Sequence, residues 1–228
     1  MQIIYNAAMS NTHNALRRDS MAERVRQELL RRIMSGDLPP GARLVELELA
    51  RDLNTSQGPV REALRRLEGS DLVVTEPYKG SRVRDVTAQD IYEAYAVRAA
   101  LEELAAQQAA KSLKGRVGEL RKEAEAIRKA ATQKNLELYA KHDHNFHRLI
   151  VEAAQNRILL RTWNSLAFEV RIQIRLAKGK VNLSRAQEAH WEILKALEAG
   201  NANSVARLLR KHIHGLPDLD RGEAKISR

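Results

Sequence analysis

The chain has 228 residues, of which 43% are apolar and only 4% aromatic, enough for one large core or two smaller cores built from aliphatic side chains. It contains no cysteine, so disulfide bonds and thiolate metal sites are excluded and a reducing compartment is expected. No apolar run approaches the roughly 20 residues that a membrane span needs, and the N-terminus lacks the apolar core of a signal peptide, so a cytoplasmic location is expected.

The net charge is +10, but the excess of basic residues is unevenly distributed. Residues 20–86 contain 12 Lys and Arg against 11 Asp and Glu, whereas residues 87–228 contain 25 against 17. Bulk charge therefore does not identify residues 20–86 as a nucleic-acid-binding segment. Any such function must be inferred from where individual arginines lie in that segment.

The first elements follow a short N-terminal arm. Residues 1–19 have weak periodicity and many small polar residues, which predicts a flexible arm. A helix is expected from Ser20, a good N-cap, to about Met34, and Gly36 ends it. The Pro-Pro-Gly sequence at 39–41 then predicts a rigid turn.

Two further helices and a hairpin follow this turn. The second helix is expected over 45–53, and the third begins after Ser56, with Pro59 in its first turn, where a missing N–H breaks no hydrogen bond. The third helix has a predicted buried face made of Val60, Ala63, Leu64 and Leu67. Two short β-prone segments, 72–75 and 81–84, form the expected hairpin. This order predicts a winged helix–turn–helix that binds DNA.

The third helix carries the side chains expected to read DNA. Its first turns place Gln57 for pairing with adenine and Arg61 for guanine or phosphate, while Lys79 in the wing is placed to reach a minor groove or a phosphate. The predicted DNA-binding residues are Arg43, Ser56, Gln57, Gly58, Arg61, Lys79 and Gly80. In the alternative interpretation, Arg61 and Arg65 only pair with nearby carboxylates on a solvated helix.

Roughly residues 24–84 resemble the winged helix–turn–helix of the GntR family of bacterial transcription regulators. The matching motifs are Gly-Asp-Leu-Pro-Pro-Gly at 36–41, Glu-Leu-Ala at 48–50, Ser-Gln-Gly-Pro-Val-Arg-Glu-Ala-Leu at 56–64, and Gly80. The chain departs from the family pattern at Gln57, where Arg is more usual, and at Leu47, where some members place a DNA-contacting Arg. The resemblance implies DNA binding, and the two departures bear on which operator is read.

The sequence from residue 87 onward is dominated by long helical patterns, which begin with a capping sequence at Thr87. Six helices are expected, at 88–113, 116–132, 135–154, 157–178, 184–199 and 202–213, with breaks at Gly115, Asn156, Gly179 and Gly200. The predicted fold is mainly α, with a DNA-binding domain at 20–86, an all-helical antiparallel bundle at 87–214 and a frayed tail at 215–228.

Four residues of this helical region have the spacing of a metal site. Asp143 and His147 lie four residues apart and so share one helix face, and His190 and His212 lie on two later helices. One carboxylate and three imidazoles suit Zn²⁺, with Ni²⁺, Mn²⁺ and Fe²⁺ as alternatives. Since the chain has seven histidines, each of these is also open to interpretation as a surface or core residue. The histidines that point away from the predicted site are His142, His144 and His214.

The helical region resembles the FCD effector domain of FadR-like GntR regulators. The matching residues are Arg98 to Glu102, Asp143, Phe146-His147, Asn156, His190, Ala196-Leu197 and His212-Ile213. The resemblance implies that Asp143, His147, His190 and His212 bind a metal ion. It further implies a small carboxylate effector, for which the cationic candidates are Arg98, Arg171 and Arg175. Arg171 and Arg175 are also open to a role on a solvated face or at a dimer contact. Six helices instead of seven imply the VanR-like subgroup.

The two resemblances imply a regulator and not an enzyme. We expect a homodimeric transcription regulator that binds double-stranded DNA at a palindromic operator and represses transcription until a small organic acid binds near the metal. Three alternatives stay open at this stage: a metal sensor in which the ion is the signal, a metal-dependent hydrolase, and a structural metal with the effector bound elsewhere.

Overall fold

The computed structural model describes residues 20–178 and 181–215. The chain divides into two compact units. The first contains the residues up to Gly69 together with Val73–Val83, and the second contains Ser70–Leu72 and the residues from Arg84 onward. The predicted arm at 1–19, the break at Gly179 and all but the first residue of the predicted tail lie outside the described residues.

The first unit is a winged helix–turn–helix. Its elements are α1 (Met21–Ser35), β1 (Arg43–Leu44), α2 (Glu46–Asp52), α3 (Gln57–Gly69), β2 (Val73–Glu76) and β3 (Gly80–Val83). The three strands form one antiparallel sheet in the order β1-β3-β2. The β2–β3 hairpin is the wing, as the sequence predicts.

Caps and apolar spacing explain why the helices of this unit form where they do. The Ser20 side chain accepts a hydrogen bond from the backbone N–H of Glu23, and Gly36 ends α1 in the left-handed conformation with φ +83°. The predicted buried face of α3 is confirmed, because all four of its apolar residues are buried. This face packs against α1, whose Leu29 is also fully buried.

Strand β1 is an element that sequence analysis missed. It has only two residues, too few to show the alternation by which strands are recognised in a sequence. Its register places Arg43 opposite Arg82 and Leu44 opposite Ser81 of β3. The predicted strands at 72–75 and 81–84 are each displaced by one residue from the observed β2 and β3.

The second unit is a bundle of seven helices within the part of the chain that is described. They are α4 (Ala88–Leu113), α5 (Gly118–Thr132), α6 (Leu136–Ala153), α7 (Arg157–Ser165), α8 (Phe168–Lys178), α9 (Leu183–Glu198) and α10 (Ala202–His214). Helix α4 packs against α6, α9 and α10, so these four helices face one another in the interior. None of the described helices is long and apolar enough to span a membrane.

The prediction of a single helix over 157–178 is wrong, because the structure has two helices there. The chain breaks after Ser165, where Leu166 caps α7 and Ala167 adopts the left-handed region with φ +46°, before α8 begins. No glycine or proline marks this break, so the sequence gives no local signal of it. With seven described helices in place of six, the helix count no longer supports assignment to the VanR-like subgroup.

Polar caps mark the starts of five helices of the second unit. Thr87 and Asp90 form a reciprocal capping box at the start of α4. The side chains of four asparagines each accept a hydrogen bond from the backbone N–H three residues later, namely Asn135, Asn156, Asn182 and Asn201. The helix break predicted at Asn156 is therefore confirmed, and Asn156 caps the helix that follows it.

Candidate functional site

Four polar residues meet in the interior of the second unit. Asp143 and His147 lie on α6, His190 lies on α9 and His212 lies on α10. All four are buried, and one ligand atom from each lies within 4.8 Å of the others. Because Asp143 and His147 are four residues apart, they lie on the same face of α6, where both can approach the histidines of α9 and α10. The structure thus brings together the whole set that the sequence indicates.

The rings are packed closely around the Asp143 carboxylate. His190 Nε2 lies 3.1 Å from Asp143 Oδ1, and His212 Nε2 lies 3.9 Å from the same oxygen. The His147 ring stacks on that of His212 with centroids 5.3 Å apart, and the His190 and His212 centroids are 4.4 Å apart. Three imidazoles therefore present nitrogens to one carboxylate in a space closed to solvent.

Hydrogen bonds to the far nitrogens fix which tautomer His147 and His190 adopt. His147 Nδ1 donates to the carboxylate of Glu102, and His190 Nδ1 donates to the backbone carbonyl oxygen of Ala186 at 3.1 Å. Each neutral ring then has its lone pair on Nε2, directed into the cluster. The Nε2 atom of His147 is buried and has no hydrogen-bond partner. A buried polar atom of this kind calls for a ligand or ion.

The contact between His190 and Asp143 leads to the same conclusion. If Nδ1 of neutral His190 carries the proton, then Nε2 and the Asp143 oxygen are two acceptors facing each other at 3.1 Å. Two electron-rich atoms at this distance repel in a buried site, where charges are poorly screened. Either a proton on His190 or a cation among the four residues removes this repulsion.

The electrostatics of the cluster keep its groups in the protonation states that metal ligands require. Burial lowers the pKa of His147 and holds that of His212 well below its usual range, with positive neighbours adding to the effect at His212. At Asp143 burial opposes ionisation, but the hydrogen bond with His190 and the positive charge of Arg98 outweigh it and hold the pKa well below normal. At neutral pH His147 and His212 therefore offer neutral imidazole and Asp143 offers an ionised carboxylate.

Glu102 on α4 supports the cluster from outside, and sequence analysis assigned it no role. Its carboxylate is fully buried and accepts hydrogen bonds from Arg98 Nε at 2.7 Å, from Trp163 Nε1 at 3.0 Å and from His147 Nδ1. Burial opposes its ionisation, yet the charges of His147 and Arg98 lower its pKa to about 2. The sequence feature that could have indicated its role is the i,i+4 pair of opposite charges, Arg98 and Glu102, in an alanine-rich stretch of α4.

Arg98, a predicted effector-binding residue, is engaged inside the protein. It is buried between Glu102 and Asp143, whose Oδ2 lies 3.4 Å from its Nη2, and its guanidinium lies over the rings of Tyr95 and Phe168. Burial lowers its pKa, but the two carboxylates more than compensate and raise it. Arg98 therefore shares its single positive charge between two carboxylates, which limits its capacity to bind a further anion.

A small cavity opens beside Asp143. It has a volume of about 10 Å³, close to that of one water-sized sphere, and its lining residues are Tyr95, Tyr139, Asp143, Ile172, Arg175, Leu176 and Val181. The hydroxyl of Tyr139 and Nε of Arg175 are buried without hydrogen-bond partners. The Arg175 guanidinium lies 4.4 Å from the centroid of the Tyr95 ring. The cavity therefore offers a cation and a hydroxyl next to a candidate metal ligand.

Arg171 is buried as well, but it does not line this cavity. Its Nη2 donates to the backbone carbonyl oxygen of Ser70 at 3.1 Å, while Nε and Nη1 have no partner. Burial lowers the pKa of this guanidinium. The burial of Arg171 and Arg175 shows that these residues do not form a solvated helix face within the described structure.

The three remaining described histidines lie outside the cluster. His142 pairs with Glu123, and His214 is exposed at the end of α10. His144 packs against the ring of Trp163 with centroids 4.9 Å apart, and burial lowers its pKa to about 4. None of the three supplies an atom to the four-residue group.

The predicted DNA-binding residues lie on the surface of the first unit. Ser56, Gln57, Gly58 and Arg61 are exposed at and just inside the start of α3, and a side chain added at Gly58 would meet open space. Arg61 pairs with Glu46 at 2.7 Å, and Lys79 pairs with Glu76 at 2.7 Å. Arg61 therefore pairs with a nearby carboxylate, as the alternative interpretation expects, and this carboxylate lies on α2.

Comparison with known proteins gives a consistent result for both units. Residues 21–83 match the model of bacterial regulatory proteins of the gntR family, and residues 93–215 match the FCD domain. A probable D-xylose utilization operon transcriptional repressor of Paenarthrobacter nicotinovorans is 37% identical over 205 residues, which cover 90% of this chain and 91% of that protein. A gluconate operon transcriptional repressor of Bacillus licheniformis is 26% identical, with coverage of 86% and 84%.

A solved structure agrees with these sequence relatives. E. coli McbR/YncC superposes with a TM-score of 0.71 and 26% identity, covering 86% of this chain and 94% of that one. The winged helix–turn–helix, the helical bundle and the matches over both units agree with one another, and the chain belongs to the GntR family of bacterial transcription regulators that carry an FCD domain.

Proposed function

We propose that this GntR-family transcriptional repressor binds a divalent metal ion through Asp143, His147, His190 and His212, and that a small organic acid bound beside this ion relieves repression. The observation that supports the proposal most strongly is the buried set of four ligand atoms, with His147 Nε2 left without a partner. Since the family and the relatives are regulators, a metal-dependent hydrolase is not retained.

The residues of the cluster fit a metal ion. Three imidazoles and one carboxylate suit Zn²⁺, with Ni²⁺, Mn²⁺ or Fe²⁺ as alternatives. An octahedral ion keeps two positions for further oxygen ligands, and Zn²⁺ accepts one by becoming five-coordinate. When bound, such an ion supplies positive charge and a coordination position for a carboxylate. The hydrogen bonds from His147 to Glu102 and from His190 to Ala186 hold the two rings ready for it.

Cationic groups near the cluster support an acidic effector. Arg175 and Tyr139 face the cavity beside Asp143 with unpartnered atoms, and a buried guanidinium binds a carboxylate through charge-assisted hydrogen bonds. Arg171 adds two further unpartnered nitrogens in the same helix, and Arg98 holds the Asp143 carboxylate in place. Two of the relatives are named for D-xylose utilization and gluconate operons, so sugar acids are the first compounds to test.

Operator binding is assigned to the exposed start of α3 and to the wing. In this proposal Gln57 and Arg61 read bases in the major groove, Ser56 and Gly58 approach the backbone, and Arg43, Lys79 and Gly80 contact flanking phosphates. A homodimer presents two such surfaces to a palindromic operator. The acid relieves repression only if it binds the DNA-free arrangement of the dimer more tightly than the DNA-bound one.

The proposal is tested with metal-replete protein and a panel of sugar acids and small carboxylic acids. A ligand of the native state raises the melting temperature once its concentration exceeds its Kd. We expect one acid to give a saturable shift that is absent in His147→Ala and intact in His214→Ala, in which an exposed histidine is changed. The same acid should release a duplex that the protein selects from a random library. If the His147→Ala protein responds like wild type, the metal-centred effector site is wrong.

A second candidate function is supported by the size of the cavity. A volume of about 10 Å³ holds no more than a water molecule, so an organic acid fits the cavity beside Asp143 only if this cavity enlarges, whereas a bare ion needs no such change. A larger cavity, of about 620 Å³, borders the cluster at His212. In this second reading the ion itself is the signal. Operator affinity would then change on chelation with no acid present. If chelation leaves affinity unchanged and an acid lowers it, the metal-sensor function is excluded.

A further inference from the structure

The four candidate metal ligands are closed off from solvent. His147, His190 and Asp143 are at most 4% exposed, and His212, the most accessible of the four, is 7% exposed. A divalent ion in water holds a hydration shell, and it is very unfavourable to move the ion through packed apolar side chains without ligands that replace this shell. The cluster therefore needs a path along which water or ligand atoms surround the ion.

A large cavity between α9 and α10 reaches the cluster. Its volume is about 620 Å³, and we call it the α9–α10 cleft. The residues that line it include Ala186, Glu188, Glu192, Leu208 and His212. The cavity beside Asp143, with about 10 Å³, has no space for an ion with its water shell, and a cavity of about 430 Å³ between α4 and α10 has no cluster residue in its lining. Of these three cavities, the α9–α10 cleft alone is both large enough and in contact with a candidate ligand.

Two residues belong both to the lining of the cleft and to the cluster or its support. His212 lines the cleft and supplies a ligand atom to the four-residue group. Ala186 lines the cleft too, and its backbone carbonyl oxygen accepts the hydrogen bond from His190 Nδ1 at 3.1 Å. The His212 ring is therefore the part of the cluster that an ion in the cleft meets first.

His212 also differs from the other two imidazoles in how its ring is held. The rings of His147 and His190 are each fixed by a hydrogen bond from Nδ1. His212 Nε2 lies 3.9 Å from Asp143 Oδ1, beyond hydrogen-bonding distance, and the ring forms no hydrogen bond with another described residue. Metal-binding histidines usually have their second ring nitrogen bonded to the protein. Without this restraint, the His212 ring can turn at a lower cost than the other two rings.

The cleft also supplies oxygen atoms that can replace water around a cation. Glu188 and Glu192 lie one helical turn apart on α9, and both are exposed at the cleft. Carboxylate oxygens are common ligands of divalent cations. Arg185 and Lys211 line the same cleft, so the charges of its lining balance. The two glutamates therefore act as local ligands and not through a long-range field.

We propose that the α9–α10 cleft is the route by which the cluster exchanges a divalent cation with solvent. Glu188 and Glu192 bind the cation first, and the His212 ring turns towards the cleft, takes the cation as its first imidazole ligand and brings it to the other three residues of the cluster. The inference rests on metal binding by the cluster, which is part of the proposed function, and adds the route and a separate role for one of the three histidines.

The route is tested by filling the cleft in the full-length protein. Leu208→Trp and Ala189→Trp each place a large ring in the cleft, from α10 and α9 respectively. Gln107→Trp is the matched control, because it places the same ring in the cavity of about 430 Å³ that no cluster residue lines. Since one variant can fail to fold, the two filling variants come from different helices, and melting curves of the metal-free proteins check each of them.

Stopped-flow mixing with a Zn²⁺-sensitive chelating dye measures the uptake and the release of Zn²⁺. An obstacle on the route raises the barrier equally in both directions, because the free and bound states are unchanged. We expect each filling variant to slow both uptake and release by about tenfold and to keep Kd within about twofold of wild type. This pattern differs from that of most substitutions at a binding site, which change mainly the rate of release.

The role of the two carboxylates is tested separately. The double variant Glu188→Gln/Glu192→Gln should slow uptake by about threefold, because amides are weaker ligands of a cation. Glu198→Gln is the control, since this carboxylate is also exposed on α9 but pairs with Arg121 and does not line the cleft.

Unchanged rates of uptake and release in both filling variants would overturn the inference, as would faster release with unchanged uptake, or an equal slowing in Gln107→Trp. If the wild-type protein binds no Zn²⁺ at equilibrium, the metal site of the proposed function fails. That outcome is distinct from a protein that binds Zn²⁺ at rates that filling the cleft does not alter.

Discussion

At the scale of single residues, one carboxylate outside the four-residue group connects this group to its surroundings. Glu102 accepts three hydrogen bonds, from Arg98, Trp163 and His147, and each of the three donors has a different consequence. The bond from His147 sets the tautomer, the bond from Arg98 balances charge, and the bond from Trp163 fixes α7 against α4. A substitution of Glu102 therefore tests how the positioning of His147 affects metal binding, without removing a candidate metal ligand.

We predict that Glu102→Gln weakens metal binding without removing a ligand. An amide has one acceptor oxygen and an NH₂ group, so at least one of the three donors faces another donor and the His147 ring loses its fixed orientation. Changes to such supporting partners cost roughly 10–100-fold in metal affinity. Competition of Zn²⁺ between the protein and a chelating dye measures this loss.

The neighbouring residue supplies the matched control for Glu102. Glu103→Gln changes the same charge at the next position of α4, where the carboxylate pairs with Arg210 on the surface. This variant should bind Zn²⁺ as wild type does, since surface ion pairs contribute little. Equal metal affinity in the two variants and the wild type would reduce Glu102 to a packing role.

We predict that the metal-free protein loses stability as the pH falls from 6.5 towards 4.5. Burial lowers the pKa of His147 and His212, and lowers that of His144 to about 4, so the unfolded chain binds protons in this window that the native state does not. Stability then falls with pH by up to about 1.4 kcal/mol per unit for each such group. The lowered pKa values of Asp143 and Glu102 act in the same direction, but only below their ordinary values of 3.8 and 4.5.

Chemical denaturation in the presence of a chelator at pH 7.5, 6.5, 5.5 and 4.5 measures this dependence. Replacing the half-buried His144 by Gln should weaken the dependence of the free energy of unfolding on pH. This replacement leaves the candidate metal ligands intact, since His144 is no member of the four-residue group. A free energy of unfolding that stays constant from pH 6.5 to pH 4.5 would contradict the buried, neutral state of the histidines.

At the scale of elements, helix boundaries were predictable wherever a cap residue marked them. Ser20, Gly36 and Thr87 each stand at the position that their side chain or conformation predicts. The α7–α8 break was missed because Ala167 takes a positive φ without being glycine, and the next residue, Phe168, is buried in the tertiary structure. Similarly, β1 exists only through its pairing with β3, a non-local contact that a two-residue sequence cannot indicate.

The same limit applies to the candidate site. The i,i+4 spacing on α6 predicted that Asp143 and His147 share a face, because that follows from helix geometry alone. The convergence of His190 and His212 on this face was implied by the family resemblance and depends on how α9 and α10 pack against α4. Glu102 and the cavity-lining Tyr139 escaped prediction, because their unusual environments exist only after three helices have come together.

We predict that Ala167→Gly is neutral or stabilises the protein by up to about 1 kcal/mol, whereas Ala167→Val destabilises it by more than about 1 kcal/mol. At φ +46° glycine has no steric cost and a β-branched residue has the largest. Ala196→Gly, inside α9, is the control with the opposite sign, because glycine in a helix interior costs about 1 kcal/mol. Urea denaturation measures all three, and a similar loss in both glycine variants would show that Ala167 is not strained in solution.

At the scale of the whole molecule, charge and function are divided between the two units. Residues 20–86 are nearly balanced, with 12 basic and 11 acidic residues, so DNA affinity there must come from a few placed arginines and not from a general positive field. The excess of basic residues lies in the unit that carries the buried cluster, outside the segment that reads DNA. For the acid to regulate transcription, its binding to the second unit must change the affinity of the first unit for DNA. Such a thermodynamic linkage does not depend on direct contact between the acid and the DNA.

This linkage makes a quantitative prediction. If an acid weakens operator binding by some factor, the operator must weaken acid binding by the same factor, which for typical coupling free energies lies between about 5 and 150. Fluorescence anisotropy of a labelled selected duplex, with and without saturating acid, gives the first factor, and calorimetric titration of the acid into free and duplex-bound protein gives the second. Both factors should fall to one in His147→Ala, which loses a cluster ligand, and stay unchanged in His214→Ala. Two factors that differ beyond error would mean that the acid acts through a further equilibrium, such as dissociation of the dimer, and the simple two-state regulator would be wrong.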